Sequence, residues 1–249
     1  MNLDIGELTN SLSNYSSSTN QAVTSVANAV RPIGFILVGL FFLFEMMSWH
    51  QMMKSRGDSL TTKMWVEISM KYLIAFLLVW QAALICDALV ELVNIIIKVI
   101  AKVAPQQQNE YKYAQGAIKG WLNKSLFTLI GWCVEFVANI VLSIVIFLRY
   151  LDLYILKSIA PLLVAFFMMD SLRSITINFL KYVAASAFIG GILIVTSIVY
   201  SSLVTNDLIQ VAGGDADGLG TAFASIAKGV IYIFVMIGSG RKARQLLGV

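Results

Sequence analysis

Long apolar stretches recur along the chain, separated by short polar ones. They lie at 32–49, 72–103, 126–148, 150–169, 182–203 and 222–237. A helix needs about 20 apolar residues to cross about 30 Å of hydrocarbon. A membrane β-barrel would instead show segments of about ten residues with alternating polarity, whereas these runs are continuous. The pattern therefore predicts an all-α fold, a polytopic transmembrane helical bundle with five to six membrane segments.

Composition supports the membrane interpretation. Of the 249 residues, 58% are apolar and only 13% are charged, and the mean hydropathy is +0.79. Soluble domains carry about 25% charged residues. A soluble chain of this size would lack the charge to cover its surface.

The first 31 residues differ from the rest. They are rich in Ser, Asn and Thr, and no Lys or Arg precedes Arg31. Apolar residues such as Leu8 and Leu12 fall roughly on one helical face, which predicts a weakly amphipathic helix, with a flexible polar leader as the alternative. We therefore predict a polar extracytoplasmic N-terminal segment at 1–31 and a transmembrane helical domain at 32–249.

The second apolar segment changes character along its length. Its first part, 72–86, is almost purely apolar, but polar residues then recur at helical spacing. They form a polar stripe of Asp87, Glu91, Asn94, Lys98 and Lys102. Spacings of three and four place all five on one side of a helix. Because charges that face lipid are costly, we expect this stripe to face water, a partner or the bundle interior.

The distribution of basic residues predicts an orientation, since Lys and Arg favour the cytoplasmic side of a membrane. More of the 18 basic residues lie inside if the second segment dips into the membrane or lies at its surface than if all six segments cross. We therefore predict five spans, with the N-terminus outside and the C-terminus inside. The acidic loop at 205–220 is then outside.

The sequence offers little for catalysis. It contains one histidine, His50, which lies at the water end of the first segment, so we expect neither a His-rich metal site nor a His–Asp relay. We predict no enzyme activity and no metal or cofactor. Ionisable side chains within apolar segments are the informative feature, and they are Glu45, Glu135, Asp152 and Lys157. They line a polar path or, alternatively, pair across helices or reach out from segment ends. Glu135 favours the first interpretation most, because it lies nearly mid-segment.

Small residues in the fifth segment predict close helix packing. Ser186 and Gly190 are four apart, as are Ala187 and Gly191. Small side chains at this spacing let helix backbones approach closely in lipid. The contact is either within one chain or between copies.

The stretch from Arg149 to Ala187 reads RYLDLYILKSIAPLLVAFFMMDSLRSITINFLKYVAASA. An apolar helix ends in Ala-Pro-Leu, a short apolar continuation and a polar turn with Arg173 follow, and an amphipathic helix completes the stretch. This order resembles the central signature of the TrbL/VirB-six family, polytopic inner-membrane subunits of bacterial conjugative type IV secretion systems. The tryptophan expected after the turn is absent, and Phe179 or Tyr182 stands there instead. Pro161 predicts a helix kink.

The resemblance implies a non-enzymatic channel or scaffold component that helps to translocate DNA and protein across the cytoplasmic membrane. Its implied partners are membrane lipids, further copies of itself, the secretion ATPases, a VirB-eight-like subunit and the DNA–protein substrate in transit. One alternative is the permease subunit of an ABC exporter of the bacteriocin-immunity type. Another is a scaffold or immunity protein without a conduit.

Overall fold

A computed structural model describes residues 5–56, 62–103, 113, 121–205 and 219–249. Within these residues the chain forms helices and no strands, which confirms the all-α class. The predicted acidic loop at 205–220 falls almost entirely outside them. The helices are α1 (Ile5–Leu8), α2 (Leu12–Tyr15), α3 (Ser17–Arg56), α4 (Thr62–Trp80), α5 (Ala82–Val103), α6 (Trp121–Ala165), the 3-10 turn η1 (Phe166–Met168), α7 (Arg173–Thr205) and α8 (Leu219–Leu246).

Four of the described helices, α3, α6, α7 and α8, are long and apolar enough to cross a membrane. The helices α4 and α5 pass the same test together, but they are bent by 69° at Gln81. The described part of the chain therefore has four candidate spans, or five if the bent pair is one broken span. The prediction of a polytopic membrane protein is confirmed.

The predicted segments 126–148 and 150–169 do not form two spans. The first lies wholly in α6, a single helix of 45 residues, and the second lies in α6 as far as Ala165. No glycine or proline separates them, so helical hydrogen bonding continues through Arg149. An uninterrupted helix crosses a bilayer only once, so these two stretches form one candidate span.

The chain divides into two compact units, each built from separate stretches of sequence. Unit 1 contains residues up to 10, 93–150 and 185–246, and unit 2 contains 11–92, 151–184 and 247–249.

The core of unit 2 is formed where α3 and α4 pack together. Buried residues of α4 are spaced at three and four, at Ile68, Tyr72, Ala75 and Val79, so one face of this helix is apolar and covered. Aromatic rings reinforce the contact. Phe35 of α3, for example, stacks on Phe76 of α4 with centroids 4.2 Å apart.

In unit 1 the buried residues of α6 recur every fourth position, at Ala138, Leu142 and Ile146. Helix α7 contributes Ala185, Ile189 and Leu193 at the same spacing. Helix α6 therefore presents one face to the core of this unit, whereas α7 is buried on nearly every side between Ala185 and Ile194.

Candidate functional site

Three helices of unit 2 meet at a buried lysine. The Lys157 ammonium on α6 donates to both carboxylate oxygens of Asp87 on α5, at 2.8 and 2.7 Å, and to the Asn20 side-chain oxygen on α3, at 2.8 Å. The Lys157 side chain is 3% exposed, whereas that of Asp87 is 45% exposed. The pair therefore offsets the desolvation of a cation within an otherwise apolar helix.

An open cavity of about 370 Å³ lies beside this ion pair. Its polar lining comes from Asp87 and Glu91 of α5 and from the segment before and at the start of α3. Besides the two carboxylates, the residues that line the cavity are Ser11, Leu12, Ser13, Asn20, Leu84, Ala88 and Val90. With Asp87 neutralised by Lys157, Glu91 gives the cavity a net negative charge.

The five residues of the polar stripe have different surroundings. Asp87 is paired, as described above, and Asn94 is fully buried. Glu91, Lys98 and Lys102 are exposed on the surface of α5. None of these three has an ionic partner within the described residues. Their role in function stays a prediction.

A second polar cluster, in unit 1, surrounds Arg149, which is 1% exposed. The Arg149 guanidinium donates to the Leu8 carbonyl at 2.7 Å and to the Asn94 side-chain oxygen at 3.3 Å. Asn94 in turn donates to the Asn10 carbonyl at 3.1 Å. Tyr150 donates to two carbonyls of the same stretch, those of Glu7 at 2.6 Å and Asn10 at 3.2 Å. The guanidinium is thus held by neutral acceptors. These hydrogen bonds also tie residues 7–10 to α6.

Sequence reasoning did not select Arg149, because it fell between two segments that were interpreted as separate helices. The available signal was the spacing of Arg149 and Lys157, which lie eight residues apart and therefore on one side of a helix if α6 is continuous. Tyr154 belongs to unit 2, where its hydroxyl donates to the Leu12 carbonyl at 2.6 Å.

The other predicted intramembrane groups are also partnered. In unit 2, Glu45 accepts from Lys71 at 2.9 and 3.0 Å and from the Tyr72 hydroxyl at 2.6 Å. In unit 1, Glu135 accepts from the Tyr113 backbone N–H at 3.1 Å. Asp152 is half-buried and also takes part in a polar interaction. Lys157 pairs across helices, with Asp87 of α5.

Helix α6 continues through Pro161 to Ala165 and then tightens into η1. The Pro161 carbonyl approaches Gly34 of α3 so closely that a Cβ there would lie 2.8 Å from its oxygen. Pro161 is therefore a point of tight helix contact in unit 2.

The small residues of α7 pack within unit 1. Ser186 and Ala187 are fully buried. A Cβ on Gly190 would lie 2.8 Å from Nη1 of Arg149, and one on Gly191 would lie 3.4 Å from Ile97. These glycines therefore accommodate side chains of the same chain.

Within the described residues, no group of three or more His, Cys, Asp or Glu side chains could hold a metal ion.

A comparison with protein families matches residues 70–239 to the TrbL/VirB6 plasmid conjugal transfer protein family. The match covers more than half of the chain. This chain belongs to the TrbL/VirB6 family. It is therefore a component of a conjugative transfer system, as the stretch from Arg149 to Ala187 led us to expect.

The matched region of this TrbL/VirB6 protein contains both partners of the buried ion pair, together with Arg149 and Pro161. Residues 5–56, which supply α1 to α3, precede it. Neither the curated proteins nor the solved structures give a match.

Proposed function

We propose that the protein is a non-enzymatic channel or scaffold component of a conjugative type IV secretion system, which helps DNA and protein to cross the cytoplasmic membrane. The family match over residues 70–239 is the observation that carries this proposal. Ionisable groups inside apolar helices, such as Lys157 and Glu45, support it, because such groups often mark transport paths in membranes. The single histidine supports a structural role. Nothing favours the alternative of an ABC exporter permease.

The direction of the helices in unit 2 supports an orientation. Contacts of α3 advance in chain order along α6 and η1, from Asn20 with Lys157 of α6 to Phe41 with Phe166 of η1. The two helices therefore run in the same general direction, which supports a return of the chain across the membrane between them. Helices α4 and α5 supply this return.

The first helix of the bent pair, α4, runs antiparallel to α3. Contacts to α4 start with Lys71 at Glu45 and continue with Phe76 at Phe35. We infer that the pair crosses as one broken span, which makes five spans with α3, α6, α7 and α8. The sequence-based model also had five spans, but it counted 126–148 and 150–169 as two spans and left the segment 72–103 uncrossed. Here α6 supplies one span in place of those two, and the bent pair supplies the fifth.

With five crossings the termini lie on opposite sides. We propose that residues 1–31 are extracytoplasmic and that the basic C-terminal end, with Arg241 and Lys242, is cytoplasmic. Single cysteines at Ser17, Ser59 and Val249, in a chain whose native cysteines are replaced by serine, test this with a membrane-impermeant thiol reagent. Position 17 should react from outside, and 59 and 249 only after the membrane is opened. Labelling of 17 and 249 from the same side would contradict the crossing of α4 and α5.

We propose that several copies act together beside the secretion ATPases and a VirB-eight-like subunit, within membrane lipid, while the DNA–protein substrate passes. The gene is deleted in a donor strain, and transconjugants are counted. Transfer should fall to background and return with a plasmid-borne copy. A copy with Glu67→Gln, an exposed residue that takes part in none of the ion pairs described above, is the matched positive control. Undiminished transfer from the deletion strain would exclude the proposed function.

A further inference from the structure

The polar stripe leaves charges of both signs unsatisfied. Glu91 in the middle of α5 and Lys98 and Lys102 towards its end are exposed, and within the described residues none of them has an ionic partner. Exposed Leu92, Ile95 and Val99 interrupt them, so these charges border apolar surface. A charge in such surroundings is more stable when another charge covers it.

Glu91 and Lys98 cannot neutralise each other on one helix. Seven residues separate them, which is about 10 Å along the helix axis. An ion pair requires its nitrogen and oxygen within about 4 Å. The partners of these side chains must therefore come from outside this helix.

We propose that the cavity beside Glu91 receives Lys98 of a second copy of the chain. The cavity carries a net negative charge, because Lys157 already neutralises Asp87. Its hydroxyl and amide groups, on Ser11, Ser13 and Asn20, offer further acceptors to an ammonium group, which has three donors. Its volume of about 370 Å³ is at the small end of the range of ligand sites and suits one long side chain.

Charge complementarity points to a second copy as the partner. One chain carries both an exposed anion beside the cavity, Glu91, and an exposed cation on the same helix, Lys98. Glu91 of one copy can therefore be satisfied by Lys98 of another. The inference rests on the proposed function only in placing several copies in one machine.

The test exchanges charge in trans. Glu91→Lys gives a chain with positive charge at positions 91 and 98, and Lys98→Glu gives a chain with negative charge at positions 91 and 98. Each variant alone should self-associate at least about tenfold more weakly than wild type in mild detergent, because like charges then face each other. Molar mass against protein concentration measures this. When the two variants carry different tags and are co-expressed, they should co-purify as well as two wild-type copies, because opposite charges meet again.

Glu67→Lys and Lys181→Glu are the matched controls, since both residues are exposed and lie away from the stripe. Neither should change association. If either stripe variant associates like wild type, or if the mixed pair fails to recover, the inference is wrong. Rescue also excludes misfolding as the cause of loss. Self-association is measured without DNA transfer. If the two variants fail to co-purify while the wild-type gene still restores transfer to the deletion strain, this interface is wrong and the proposed function stands.

Discussion

Lys157 binds both carboxylate oxygens of Asp87, at 2.8 and 2.7 Å, although the two residues lie on different helices and are separated by 70 positions. The pair is asymmetric, because the lysine side chain is 3% exposed and the aspartate side chain is 45% exposed. Without its partner, Asp87 could still be hydrated. Lys157 could not.

This asymmetry predicts unequal mutational costs. Asp87→Ala should lower the free energy of unfolding by about 3–5 kcal/mol, because it leaves a buried cation unpaired. Lys157→Met should cost about 1 kcal/mol, because it removes the buried charge and leaves a carboxylate that water reaches. Unfolding in detergent, followed by circular dichroism, gives both values.

The double variant Asp87→Ala with Lys157→Met is the control for this pair. Its free energy of unfolding should be close to that of Lys157→Met alone, since no unpaired buried charge remains. Equal losses from the two single variants would contradict the asymmetry.

Sequence alone identified Asp87 and Lys157 as polar groups in apolar helices but did not join them. Hydrophobic length is a local property, so the helix class and the approximate positions of the helices could be predicted. Helical periodicity orders positions within one helix and contains no information on which helices meet. Arg149 was missed for a related reason, since continuity of α6 decides whether this residue is in a loop or in a buried face. That continuity depends on packing on both sides of position 149.

Two glycines of α3 make a matched pair for the contact at Pro161. A Cβ at Gly34 would lie 2.8 Å from the Pro161 carbonyl oxygen and 2.9 Å from Val79, whereas one at Gly39 would meet nothing within 4 Å. Gly34→Ala should therefore destabilise the protein by about 1–3 kcal/mol through overpacking. Gly39→Ala should be neutral or stabilise by up to about 1 kcal/mol, because alanine favours the helix. Thermal unfolding midpoints of the two variants are compared in one detergent. A lower midpoint for Gly39→Ala but not for Gly34→Ala would contradict the tight contact at Pro161.

The Tyr154 hydroxyl fixes residues 11–16 through the Leu12 carbonyl, at 2.6 Å. Tyr154→Phe removes this donor and keeps the ring, at a cost of about 1 kcal/mol. Amide hydrogen exchange at 11–16 should become about fivefold faster, as this energy implies for local opening. Tyr200→Phe is the control, because its hydroxyl bonds the Lys228 carbonyl in unit 1. Faster exchange at 11–16 in both variants, or in neither, would show that Tyr154 does not hold this segment.

Replacing Glu91 and Lys98 together with leucine tests the polar stripe in transfer itself. Both side chains are exposed and have no ionic partner within the described residues, so their loss should leave the fold and the membrane level unchanged. Transfer should nevertheless fall to the level of the deletion strain, because leucine at both positions removes the charges that we assign to a contact outside the chain. Transconjugant counts and quantification of the protein in the membrane fraction give the two readouts. Glu67→Leu with Lys181→Leu removes the same two charges at other exposed sites and should retain transfer. Normal transfer from the stripe variant would remove the stripe from the mechanism, whereas loss in both double variants would trace the effect to total charge.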